Sequence, residues 1–118
     1  MNTSEEFDLL AERCLDIFSK KAVDYGTAWR ILRTPSLTDQ IYIKAQRIRS
    51  IEQKGVALVD EGVTPEYIGI VNYSVMALIQ LEVGVANTIE DLMPAETAIE
   101  LFKKYLHRPR RNPNSADL

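Results

Sequence analysis

A chain of 118 residues has room for one domain with a real core but not for two. Its hydrophobic share of 46%, with 26% charged residues and a net charge of -3, is that of a globular protein. That balance excludes a general attraction to nucleic acid or acidic membranes, so no direct nucleic-acid binding is expected and any anion site must be local.

The first helix is predicted over residues 4–21, with Thr3 as N-cap and Glu6 completing a capping box. Phe7, Leu10, Ala11, Cys14, Ile17 and Phe18 recur on one face, and Glu5, Glu12, Arg13, Asp16 and Lys20 fill the other. This helix reads as scaffold. Cys14, the single cysteine, falls on the apolar side without a disulfide partner, which fits a reducing cytoplasm and argues against a catalytic thiol.

A loop is predicted next, and it holds the most informative residues of the chain: Asp24, Tyr25, Gly26, Thr27, Ala28, Trp29 and Arg30. A carboxylate, two large aromatics and a guanidinium around a glycine can stack a planar ring and hold an anion. The same residues would also serve as a tryptophan-anchored turn that only packs.

Helix 2 is predicted to start after Pro35, with Ser36 and Asp39 as a capping pair, and to end near Lys54 and Gly55. Leu37, Ile41, Ala45, Ile48 and Ile51 form its apolar stripe, and Lys44 and Glu52 fall within roughly 40° of the centre of that stripe. Unpaired buried charges are costly, so Lys44 and Glu52 are expected to be at least half buried and near each other, Asp24 or Asn72. Residues 55–62 read as a connector, with 56–59 as a short extended piece.

Helix 3 is predicted from the N-cap Thr64 and Pro65 to about Glu82, apolar on nearly every side as a central or interface helix would be. Asn72 should point inward, and Glu66, Tyr73 and Gln80 line a separate polar stripe. Helix 4 is predicted over residues 94–107, docked through Leu101, Phe102 and Tyr105, and residues 108–118 read as a disordered tail after a single domain over 1–107. The fold class is therefore all-α: a four-helix bundle-like unit, expected to be completed by dimerisation because helix 3 has too much apolar surface for one unit to cover.

The longest apolar run, residues 68–81, is too short and interrupted to span a bilayer, and charge from Glu5 onward replaces a signal core, so a cytoplasmic location without membrane contact is expected. No glycine-rich phosphate loop, metal-ligand Cys or His spacing or Gly-x-Ser-x-Gly elbow occurs, and the one histidine, His107, lies near the C-terminus. Hydrolysis would need a metal held by carboxylates, for which Glu52, Glu61, Glu66, Asp24 and Asp39 are the candidates.

Lys21, Asp24-Tyr25-Gly26 and Trp29-Arg30, followed by Lys44-x-x-Arg47-x-Arg49-x-x-Glu52 and then Asn72-Tyr73, resemble the nucleotide modification associated domain 1 family over roughly residues 5 to 85. That family is mostly bacterial and phage, its bacterial form carries two tandem copies of this unit, and its phage gene context links it to modified deoxynucleotides. With one copy here, a two-fold homodimer is expected in place of the tandem pair, the alternative being a monomer in which helix 4 covers helix 3. Phage members are similar to the all-helical MazG-like nucleoside triphosphate pyrophosphohydrolases, which hold Mg²⁺ with acidic residues on two helices. Gly69 stands where such relatives carry one of those acidic residues.

Taken with the residues themselves, the resemblance implies a nucleotide or phosphate-compound site. Tyr25 and Trp29 would wall the base, with Lys21 and Asn72 beside them. Lys44, Arg47 and Arg30 would hold phosphate, and Asp24 and Glu52 would bind Mg²⁺. An enzyme on this plan would be a metal-dependent nucleotide phosphohydrolase. The alternative is a non-catalytic helical interaction or regulatory domain.

Overall fold

In the computed structural model of the chain, residues 2–55 and 59–106 are described, and they form four α-helices, two short 3-10 turns and no strand. The all-α expectation holds. The helices are α1 (Thr3–Tyr25), α2 (Thr34–Lys54), α3 (Val59–Val83) and α4 (Ala95–Leu106), with 3-10 turns at Ala28–Ile31 and Ile89–Asp91.

Helix α1 opens one residue earlier than predicted. Asn2, not Thr3, is its N-cap: the Asn2 side chain accepts from the Glu5 N–H at 2.8 Å and donates back to the Glu5 carboxylate at 3.3 Å. It also ends later, because nothing before Gly26 breaks it. Gly26, at φ +78°, makes the left-handed stop, so Asp24 and Tyr25 belong to the last helical turn and not to a loop.

Helix α2 begins with Thr34 and Pro35 in its first turn instead of after Pro35, and Ser36 does not cap it. Its end is as expected, with Gly55 in the left-handed conformation. Helix α3 starts before Thr64 and carries Pro65 inside it. The first turns are held by packing: Val63 is buried, and a Cβ at Gly62 would lie 3.2 Å from the Ile51 side chain, so α2 and α3 are in close approach here. Val59, predicted extended, is helical; the remainder of that piece and the tail with His107 lie outside the described residues.

Helix α3 is the centre of the fold. It lies along α2 for most of its length, touches α4 near its C-terminal half, and meets α1 over a short stretch only, while α1 packs chiefly on α4. The core is built from Ala11, Cys14, Phe18 and Ala22 of α1, Ile68, Val75 and Ile79 of α3, and Ala98, Phe102 and Leu106 of α4. Phe18 stacks on Phe102 with ring centroids 4.2 Å apart, and truncation of such a residue to alanine costs about 3 to 5 kcal/mol. Tyr67, Leu78 and Leu81 of α3 are exposed. None of the described helices is long and apolar enough to cross a membrane.

Candidate functional site

The connection between α1 and α2 is held to the rest of the protein by side chains from three directions. Thr27 is buried and donates its hydroxyl to the Met93 carbonyl at 2.6 Å. Gln80 of α3 is buried and donates to the carbonyls of Arg30, at 2.8 Å, and Leu32, at 2.6 Å. The Arg30 carbonyl also accepts from the Ala86 N–H at 2.9 Å. These bonds fix the 3-10 turn at Ala28–Ile31, and Trp29 sits edge-on to Phe18 at 6.1 Å, partly buried.

Arg30 belongs to this frame and not to a ligand. It is 6% exposed, and its guanidinium donates to the Gln80 side-chain oxygen and, at 2.6 Å, to the Gly84 carbonyl. Burial lowers its pKa from the ordinary value. The charge is compensated by the C-terminal end of α3, where Gly84 at φ +81° closes the helix and the unpaired carbonyls carry partial negative charge. The expected phosphate-binding role of Arg30 is corrected on this point: the side chain turns into the α3 terminus.

Because α1 and α3 meet only briefly, a cleft of about 460 Å³ remains between α1, the Trp29 turn, α2 and α3. Such a volume lies in the range of small-molecule sites. Its apolar walls come from Phe18, Trp29, Ile68 and Met76, with Tyr25 and Tyr73 beside them. Lys21 and Tyr25 reach it from α1, Lys44 from α2, and Glu66, Gly69 and Asn72 from α3.

Lys44 is half-buried as predicted, but its partner is Glu66 at 3.3 Å and not Glu52. Its ammonium also lies 5.9 Å from the centre of the Tyr73 ring. Arg47, one helical turn along α2, is largely exposed and reaches the other Glu66 oxygen at 3.6 Å. Glu52 is exposed, because the adjacent Ile51 takes the seam against Gly62. Asp24 is exposed as well, on the outer side of the last turn of α1. Neither carboxylate lines the cleft, and among the described residues no group of three His, Cys, Asp or Glu side chains could hold a metal. The expected Mg²⁺ site from Asp24 and Glu52 does not fit this arrangement.

Asn72 is buried as predicted and donates to the Cys14 carbonyl at 3.3 Å, while its side-chain oxygen has no partner among the described residues. Burial raises the pKa of the Cys14 thiol, which keeps it protonated and inert. Thus the cleft gathers Lys21, Tyr25, Trp29, Lys44 and Asn72, with Arg47 at its margin, and leaves out Asp24, Arg30 and Glu52. The sequence reading undervalued Glu66, Tyr73 and Gln80. Their seven-residue spacing puts them on one face of α3, which meets Lys44 of α2 through Glu66 and Tyr73 and the Trp29 turn through Gln80.

With this geometry in place, comparison with known proteins gives one match. It covers residues 21–81 and is to nucleotide modification associated domain 1. The chain belongs to that family. The matched segment holds α2, all but the last two residues of α3, the Trp29 turn and Lys21, so the nucleotide modification associated domain 1 unit carries most of the cleft. No curated protein and no solved structure is significantly similar to the chain.

Proposed function

We infer that the cleft binds a phosphorylated compound with a planar ring, a nucleotide, in connection with deoxynucleotide modification. The observation that carries this reading is the meeting, in one cleft of a chain from a nucleotide modification associated family, of the aromatic wall of Tyr25, Trp29 and Tyr73 with the cations Lys21 and Lys44. Aromatic faces accept any base by stacking, and lysine and arginine at the rim hold phosphate through charge-assisted hydrogen bonds. Hydrolysis of the MazG kind asks for carboxylates that the described residues do not gather in this cleft, so binding is the function favoured here. A second reading, an interaction domain, is favoured by the exposed Tyr67, Leu78 and Leu81 on α3, and the two are compatible if that face joins two copies into a homodimer.

Titration calorimetry with deoxynucleotides tests the binding. Lys44→Ala and Arg47→Ala should each weaken it by on the order of 1 to 3 kcal/mol, as loss of a charge-assisted hydrogen bond does. Trp29→Ala should also weaken it, with a melting control because Trp29 packs on Phe18. Unchanged affinity in both cation variants would refute the assignment of the phosphate side.

A further inference from the structure

The cation at the centre of the cleft is already part of the chain. Gly69 follows Glu66 by three residues on α3, and the Lys44 stem crosses directly over it: a Cβ at residue 69 would lie 2.5 Å from both Cδ and Cε of Lys44 and 3.1 Å from its Nζ. Absence of a side chain at 69 therefore lets the ammonium lie against α3, between Glu66 and the Tyr73 ring. Both Glu66 oxygens have cationic neighbours, Lys44 on one and Arg47 on the other. A divalent cation wants several oxygen ligands, and among the described residues one carboxylate lines the cleft, with an ammonium beside it.

Charge decides what such a cleft holds. Lys21 and Lys44 against Glu66 leave the cleft lining with one net positive charge, and Arg47, which reaches Glu66 from outside the lining, brings the total to two, in a chain whose own total is -3. A phosphate monoester carries nearly two negative charges at neutral pH. A triphosphate carries roughly twice that and is ordinarily handled together with Mg²⁺.

The geometry points to a site for the free anion of a nucleoside 5′-monophosphate, bound without a divalent metal, with Lys44 as built-in counter-cation and Glu66 as the internal anion that the ligand phosphate displaces. This rests on the reading of the cleft as a nucleotide site and specifies its ligand. When phosphate enters, Lys44 and Arg47 exchange a carboxylate partner for a phosphate one, so Glu66 opposes binding and sets its strength.

The test is calorimetric titration of the full chain with the four common deoxynucleoside 5′-monophosphates and their triphosphates, each in EDTA and in excess Mg²⁺, with inorganic phosphate as the ring-free control. At least one monophosphate should bind in EDTA, change its Kd by less than about threefold on adding Mg²⁺, and bind more tightly than inorganic phosphate. Glu66→Gln should tighten that monophosphate several-fold, and Lys44→Met should weaken it by about tenfold or more. Binding confined to Mg²⁺ solutions, or weakened by Glu66→Gln, would overturn the inference and leave the nucleotide reading standing. No binding by any nucleotide in either condition would overturn both. The metal dependence is read on the unaltered chain and does not rely on either variant folding.

Discussion

Arg30 ties the turn that carries Trp29 to the C-terminal end of α3. Beside Trp29 it looks like a phosphate ligand, yet it is buried against Gln80 and the Gly84 carbonyl and finishes α3. Its removal would leave a buried amide oxygen and a helix-terminal carbonyl without their donor. Arg30→Met should therefore destabilise the protein by about 3 kcal/mol in chemical denaturation, since buried acceptors left unpaired forfeit their full desolvation cost. Under conditions where the variant is folded, nucleotide affinity should change less than in Lys44→Ala. A variant of normal stability with lost binding would return Arg30 to the ligand side. Lys44 illustrates the opposite outcome: its helical phase marked it as half-buried and paired, but the partner was chosen by the facing helix, which α2 alone does not reveal.

At the level of elements, helix number and helix type were legible from 3.6-residue periodicity, and so was the α1 face from Ala11 through Cys14 to Phe18, whereas Phe7 and Leu10, expected on that face, are exposed in the first turns of α1. Boundaries were less so. Asp24 and Tyr25 were read as loop because they precede a glycine, although a helix stops at the glycine and not before it. Pro65 was read as a start, yet burial of Val63 and the close seam at Gly62 carry α3 through it. Half of the cleft was legible as well. The aromatic and cationic residues could be named, whereas the framing by Gln80 depends on contacts fifty residues apart.

The junction of α3 and α4 offers a titration. Lys104 reaches the Glu82 carboxylate at 2.5 Å, and the Tyr105 hydroxyl donates to the same oxygen. The Lys104 hydrogen bond, then that of Tyr105, holds the Glu82 pKa below its ordinary value, and both partners are raised. A lowered carboxylate pKa means that the unfolded chain takes up the proton first as pH falls. The pair's contribution is therefore present at neutral pH and lost through the lowered pKa in acid. Melting temperatures of the wild type and Glu82→Gln should differ at pH 7 and converge below the usual carboxylate range, by a modest amount because the pair is exposed to solvent. A gap that persists in acid would show that this ion pair is not its source.

For the molecule as a whole, the exposed apolar residues of α3 have a regular placement. Tyr67, Leu78 and Leu81 recur at helical spacing, with Val71 and Ser74 between them and no charge on the stripe. A two-fold pairing of α3 antiparallel to itself, centred near Ser74, would oppose Tyr67 to the partner's Leu81 without bringing like charges together. Light scattering at micromolar concentration should give a dimer mass, and Leu78→Glu should shift it to a monomer that still melts cooperatively. A wild-type monomer would refute the pairing. The cleft itself does not depend on it, since Tyr25, Trp29, Lys44 and Asn72 meet within one chain.

The bonds that hold the Trp29 turn also bear on how far the chain can be trimmed. The family match stops at residue 81, whereas the turn is tied to Gly84, Ala86 and Met93, all beyond it, and Trp29 rests on Phe18, which precedes the matched stretch. A fragment cut to the shared stretch would keep the α2–α3 hairpin and Lys44 but lose the struts behind its tryptophan. Proteases should then nick such a fragment first between residues 26 and 33, faster than the intact chain, in which Thr27 and Arg30 are buried and bonded.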